Sequence, residues 1–68
     1  MKILFIGGGN MSHAIISGLI SNRHSIFVID PVDLARKKIL KLTKQKSCKS
    51  SIEVFNDLKD FKKKDVRP

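Results

Sequence analysis

Lys2-Ile3-Leu4-Phe5-Ile6-Gly7-Gly8-Gly9-Asn10-Met11-Ser12 reads as a β-strand that runs straight into a glycine-rich turn and opens a helix. Ile3 to Ile6 form a continuous apolar run rather than an alternating one, which suits a parallel strand covered on both faces. Gly7 can turn the chain sharply, because glycine accepts backbone angles closed to other residues. Gly9 has no side chain, so an anion can come close to the backbone there. Asn10 and Met11 then begin a helix, and the positive end of its dipole favours negative charge in the turn. A pyrophosphate is the ligand that such a turn suits.

The stretch matches the first two places of the dinucleotide fingerprint G-x-G-x-x-G at Gly7 and Gly9, with Ser12 in the third. The residues beyond Ser12 come in the order such a unit requires. Met11, Ala14, Ile15, Gly18 and Leu19 recur at spacings of three and four, so they are expected to share the helix face turned to the strand. Ala14 and Gly18 are small enough to let the helix lie close. A second apolar run, Ile26-Phe27-Val28-Ile29, ends at Asp30. That acid lies about twenty residues beyond the glycines, where the end of the second strand meets a ribose hydroxyl.

Outward from this core, Pro31 and Asp33 suit the start of a second helix. Leu34, Ala35, Ile39 and Leu42 are expected on its buried face, and the helix should stop near Lys44. Ser47-Cys48-Lys49-Ser50-Ser51 is turn-like. Ile52, Val54 and Phe55 predict a short third strand. Asn56 or Asp57 is positioned to cap a short helix carrying Leu58 and Phe61. Asp65-Val66 reads as the start of a fourth strand. The fold class is therefore α/β: an incomplete Rossmann-type, doubly wound parallel sheet in the order β-α-β-α-β, then a short helix. In the usual strand order the first strand lies between the second and fourth. With no fourth strand beside it, Ile3 to Ile6 would form an exposed apolar edge, and the chain should be marginally stable or associate.

The chain has 68 residues and a formal net charge of +8. It makes one small unit, burying roughly 60% of the surface its unfolded chain exposes. A single cysteine, Cys48, gives neither a disulfide framework nor a metal cluster. No stretch is apolar for long enough to span a membrane, and the opening strand does not read as a signal peptide, so a cytoplasmic location is expected. His13 and His24 have no evident partners for catalysis or metal binding. Lysines crowd the chain from Arg36 onward, which raises a second reading as a basic nucleic-acid-binding module. Against it, the four phenylalanines sit in apolar contexts and no Trp or Tyr is present for base stacking. No specific nucleic-acid partner and no membrane partner are expected.

Phe5-Ile6-Gly7-Gly8-Gly9-Asn10-Met11, with Ala14-Ile15 and Gly18-Leu19 after it, resembles the N-terminus of the pyrroline-5-carboxylate reductases. That family opens with a strand, then F-I-G-x-G-N-M, then a helix with small residues. Lys63-Lys64-Asp65-Val66 resembles the A-D-V start of the family's fourth strand. The resemblance implies an NAD(P)H-dependent oxidoreductase of proline biosynthesis, which passes hydride to the cyclic imine of pyrroline-5-carboxylate to give proline. Related β-hydroxyacid dehydrogenases share the turn but usually lack the Asn-Met pair. Carried over by position, Ile6, Gly7, Gly8, Gly9, Asn10 and Met11 would surround the cofactor pyrophosphate through their backbone, and Asp30 would sit at the adenosine ribose. Many members have Asn-Arg or Ser-Arg where this chain has Asp30-Pro31. A carboxylate there repels a 2′-phosphate and favours NADH, although Arg36 and Lys37 are placed to serve a phosphate. Members of the family are homo-oligomers whose helical C-terminal domain forms the dimer and supplies the imine site. Residues 1–68 therefore read as the N-terminal part of a cofactor domain, with no catalytic residue of the family and no activity alone. A non-catalytic dinucleotide-binding remnant is the alternative.

Overall fold

The computed structural model describes residues 1–7 and 9–63. Gly8, one of the expected cofactor-binding residues, and Asp65-Val66, the expected start of a fourth strand, lie outside them. The elements are β1 (Lys2–Ile6), α1 (Asn10–Leu19), β2 (Ser25–Ile29), α2 (Asp33–Leu40), a 3₁₀ segment (Lys41–Lys44), β3 (Ser51–Phe55) and α3 (Leu58–Lys63). The strands form one parallel sheet in the order β1-β2-β3. Leu4 is level with Phe27, and Phe27 with Glu53. Strands alternating with helices in one parallel sheet are the Rossmann-like arrangement expected from the sequence.

Side chains alternate across a strand, so each strand divides its residues between two faces. Ile26 and Val28 of β2 point to one face with Ile52 of β3. There they meet Ile16 and Ile20 from α1 and its end, and Ile39 and Leu42 from α2 and the 3₁₀ segment. Both helices therefore cover the same side of the sheet. Phe27 of β2 and Phe55 of β3 point to the other side, where Phe61 of α3 packs edge-on against both, with centroids 5.7 and 5.3 Å away. Such pairs contribute about 0.5–1.5 kcal/mol beyond the area they bury. The third helix thus crosses on the opposite face from the first two, which makes the sheet doubly wound. Asp57 caps it, accepting the Asp60 N–H at 2.8 Å.

Two helix faces differ from those expected. Of the apolar set on α1, Met11, Ala14, Ile15 and Gly18 are exposed, and a Cβ added at Gly18 would meet nothing within 4 Å. The helix instead turns Ile16 inward, with Ile20 just beyond its end and Leu19 at the margin. The physical reason is packing. Leu19 is common to both faces, and Ile16 and Ile20 fill space over the sheet that Ala14 and Gly18 would leave empty. On α2 the expected core residue Leu34 is exposed, while Ala35 and Arg36 are half-buried and Ile39 is buried. β1 is likewise not covered on both faces. It has one hydrogen-bonded neighbour among the described strands, and Leu4 and Ile6 are exposed on it. Of the apolar edge expected at Ile3 to Ile6, Leu4 and Ile6 are exposed while Ile3 and Phe5 are half-buried.

The ends of the strands away from the glycine turn are joined through Ser50. Its hydroxyl donates to the Asn22 carbonyl and accepts the His24 N–H at 3.2 Å, while the Lys49 N–H donates to the Ile20 carbonyl at 2.7 Å. Cys48 is packed against the core and its thiol lies 3.5 Å from the Ser50 carbonyl.

Gly7 has φ +96°, the one positive φ among the described residues. A Cβ there would meet no atom within 4 Å, so the demand for glycine is one of backbone conformation rather than space. Gly7→Ala is therefore expected to destabilise the fold by about 1–3 kcal/mol through strain alone. Urea unfolding checks this. A variant as stable as the parent would show that the turn relaxes to another conformation.

Candidate functional site at the carboxyl ends of the strands

The glycine turn, the end of β2 and the end of β3 are held side by side by backbone hydrogen bonds. The Gly7 N–H donates to the Ile29 carbonyl at 2.7 Å, and the Asp30 N–H to the Phe55 carbonyl at 2.9 Å. These bonds extend the two ladders by one step and bring Gly7 and Asp30 to neighbouring strand ends. In open α/β sheets this is the edge at which ligands bind.

Gly9 is the N-cap of α1. Its carbonyl accepts the His13 N–H at 2.9 Å, and its φ of −73° is ordinary. No described side chain caps the helix, and its first turn holds no acidic residue. A helix start leaves backbone N–H groups without partners inside the helix, and these carry the positive end of the dipole. A Cβ added at Gly9 would meet nothing within 4 Å. The space beside Gly9 is therefore open. Ile6, Asn10 and Met11 are exposed around that space. The donor set is thus backbone N–H groups at an open helix start, which suits a pyrophosphate.

Asp30 is 8% exposed at the end of β2. Its Oδ1 accepts the Val32 N–H at 2.8 Å, closing a turn that leads into α2. This bond turns Oδ1 toward the start of α2, at the strand end next to that of Gly7. Of the expected binding residues, then, Ile6, Gly7, Gly9, Asn10, Met11 and Asp30 converge on one edge of the sheet.

Arg36 ties this edge together. Its side chain is 19% exposed. Nη1 donates to the Asp30 carbonyl at 2.7 Å and to Asn56 Oδ1 at 3.1 Å, so it joins the ends of β2 and β3. Nη2 donates to Asp33 Oδ1 at 3.2 Å, and Lys37 Nζ lies 3.0 Å from Asp33 Oδ2. Hydrogen bonding and charge from Lys37, with a smaller contribution from Arg36, hold the Asp33 carboxyl below its usual range. The spacing of Asp33 to Arg36 and Lys37, three and four residues, is legible as a helix-surface pairing. The link from Arg36 to Asn56 spans twenty positions and carries no sequence signal.

His13 and His24 are half-buried and share no cluster with acids or cysteine; among the described residues, no group of three or more His, Cys, Asp or Glu could hold a metal ion. No described helix is long and apolar enough to cross a membrane. A groove of about 310 Å³ lies between Lys37, Leu40, Lys41 and Lys44 on α2 and the 3₁₀ segment, and its walls are mostly apolar. Three of the four phenylalanines are committed to the ring cluster and Phe5 packs against the core.

Comparison with known proteins matches residues 2–65 to a family model described as NADP oxidoreductase, coenzyme F420-dependent. No curated protein and no solved structure matches the chain.

Proposed function

The chain belongs to the NADP oxidoreductase, coenzyme F420-dependent, family, and from that premise we propose that it captures NAD(P)H for the reduction of 1-pyrroline-5-carboxylate to proline. The observation that carries the reading is the open, uncapped start of α1 behind Gly7 and Gly9, with Asp30 at the neighbouring strand end. The family match supports an NAD(P)-binding oxidoreductase. The finer assignment rests on the Ile6-Gly7-Gly8-Gly9-Asn10-Met11 resemblance.

In this reading the backbone of Ile6 to Met11 holds the pyrophosphate, and the Asp30 carboxylate accepts a hydrogen bond from an adenosine ribose hydroxyl. Bound NAD(P)H supplies hydride to the imine carbon. Residues 1–68 orient the dinucleotide, and Arg36 keeps Asp30 in place through its carbonyl. We place these residues at the N-terminal part of a cofactor domain whose relatives take their imine site from a helical domain.

The test has two stages. The 68-residue chain is titrated with NADPH and NADH, following nicotinamide fluorescence, and saturable binding is expected. The native protein from its own cells is then assayed for NAD(P)H oxidation with pyrroline-5-carboxylate and, separately, with β-hydroxyacids and NAD(P)⁺. Binding without pyrroline-5-carboxylate turnover would keep the dinucleotide site and remove the proline assignment.

A further inference from the structure

Arg36 is fixed at one end and engaged at the other. Nη1 is committed to the scaffold through the Asp30 carbonyl and Asn56, whereas Nη2 meets the side chain of Asp33. Asp33 and Lys37 are both about two-thirds exposed. Ion pairs of that exposure are weak and easily exchanged. Loss of the Asp33 contact would leave the guanidinium in place, because its other bonds run to the backbone of β2 and the end of β3. Two cations, Arg36 and Lys37, therefore share one exchangeable carboxylate a turn beyond Asp30. A phosphate bears more charge and more acceptor oxygens than a carboxylate, so it competes with Asp33 for Arg36 Nη2 and Lys37 Nζ.

We propose that Asp33 is the residue that sets nucleotide choice: it occupies Arg36 and Lys37 as an internal stand-in for the adenosine 2′-phosphate, which must displace it to bind. The inference rests on the dinucleotide reading of the glycine turn and goes beyond it by assigning the determinant of NADPH over NADH. Asp30 opposes the 2′-phosphate by its charge, Arg36 and Lys37 attract it, and Asp33 attenuates the attraction. A carboxylate already held below its usual range stays charged throughout the neutral region, so the competition persists at working pH.

The experiment compares the full chain with its Asp33→Asn and Lys37→Gln variants by calorimetric titration. The probes are NADP⁺, NAD⁺, adenosine 2′,5′-bisphosphate and AMP. Asp33→Asn is expected to tighten the two 2′-phosphorylated ligands by about threefold to tenfold, as for loss of an exposed charge competitor, and to leave NAD⁺ and AMP within about twofold. Lys37→Gln is expected to weaken the same two ligands by about threefold. Both effects should shrink as salt is raised. An unchanged ratio of NADP⁺ to NAD⁺ affinity in Asp33→Asn overturns the assignment, as does an equal gain for all four ligands. If the parent chain binds none of the four, the dinucleotide reading fails and this one with it. If it binds both dinucleotides but neither variant moves the ratio, this inference alone fails. Lys37 lies on the exposed face of α2, so that variant keeps the test open if Asp33→Asn perturbs the start of the helix.

Discussion

Gly9→Leu is expected to remove dinucleotide binding while leaving the fold intact. The backbone at Gly9 has an ordinary φ, so a larger residue meets no conformational barrier, and its Cβ meets no protein atom within 4 Å. The folding cost is that of changing an N-cap glycine for leucine, about 1 kcal/mol or less. The binding cost is expected to be much greater, because in the proposed reading the phosphate approaches the first N–H groups of α1 past Gly9. An affinity loss of about a hundredfold or more corresponds to roughly 2.7 kcal/mol, the scale of one or two charge-assisted hydrogen bonds. Titration with NADPH and a thermal melt on the same sample separate the two effects. Unchanged affinity would place the pyrophosphate elsewhere. The contrast with Gly7→Ala is informative, since there the expected cost falls on folding through a positive φ and only indirectly on the ligand.

Ile39→Ala is expected to give the largest loss of stability. Ile39 is 0% exposed and joins Ile16, Ile20, Ile26, Val28, Leu42 and Ile52 in the core between the helices and the sheet. Truncating a buried isoleucine to alanine costs about 2–5 kcal/mol, from lost transfer energy and the cavity left behind. A chain of this size has about 3–10 kcal/mol of stability in all, so the variant should be partly unfolded near room temperature or melt at least about 10 °C lower. Leu34→Ala is the internal control. Leu34 is 68% exposed on the same helix and its truncation should change stability by about 0.5 kcal/mol or less. Equal effects of the two substitutions would mean that α2 is rotated about its axis from the orientation described.

That rotation is also where sequence reading and structure part. On α1 the spacings 11, 14, 15, 18 and 19 make one apolar stripe, but residues 16, 19 and 20 make another. Periodicity alone does not rank overlapping stripes. Packing does, because Ile16 and Ile20 fill the space over Ile26 and Val28 while Ala14 and Gly18 would leave it empty. On α2 Leu34 is turned outward and Arg36 is drawn in, its head reaching the Asp30 carbonyl and the Asp33 carboxylate.

By itself the sequence determined the parallel α/β class, the positions of the three strands within a residue or so, and the placing of Gly7, Gly9 and Asp30 at one end of them. Those are consequences of short-range rules: apolar runs, glycine at a turn, an acid where a strand stops. Only the tertiary structure decided which helix faces are buried, that Phe27, Phe55 and Phe61 meet on the far side of the sheet, that Ser50 joins the other strand ends, and that Arg36 links Asp30 to Asn56. Most of those contacts join residues far apart in the chain, such as Phe27 and Phe61 or Arg36 and Asn56. Their partners are set by the register and twist of the sheet and by competition for a small buried volume, and no local pattern encodes that competition.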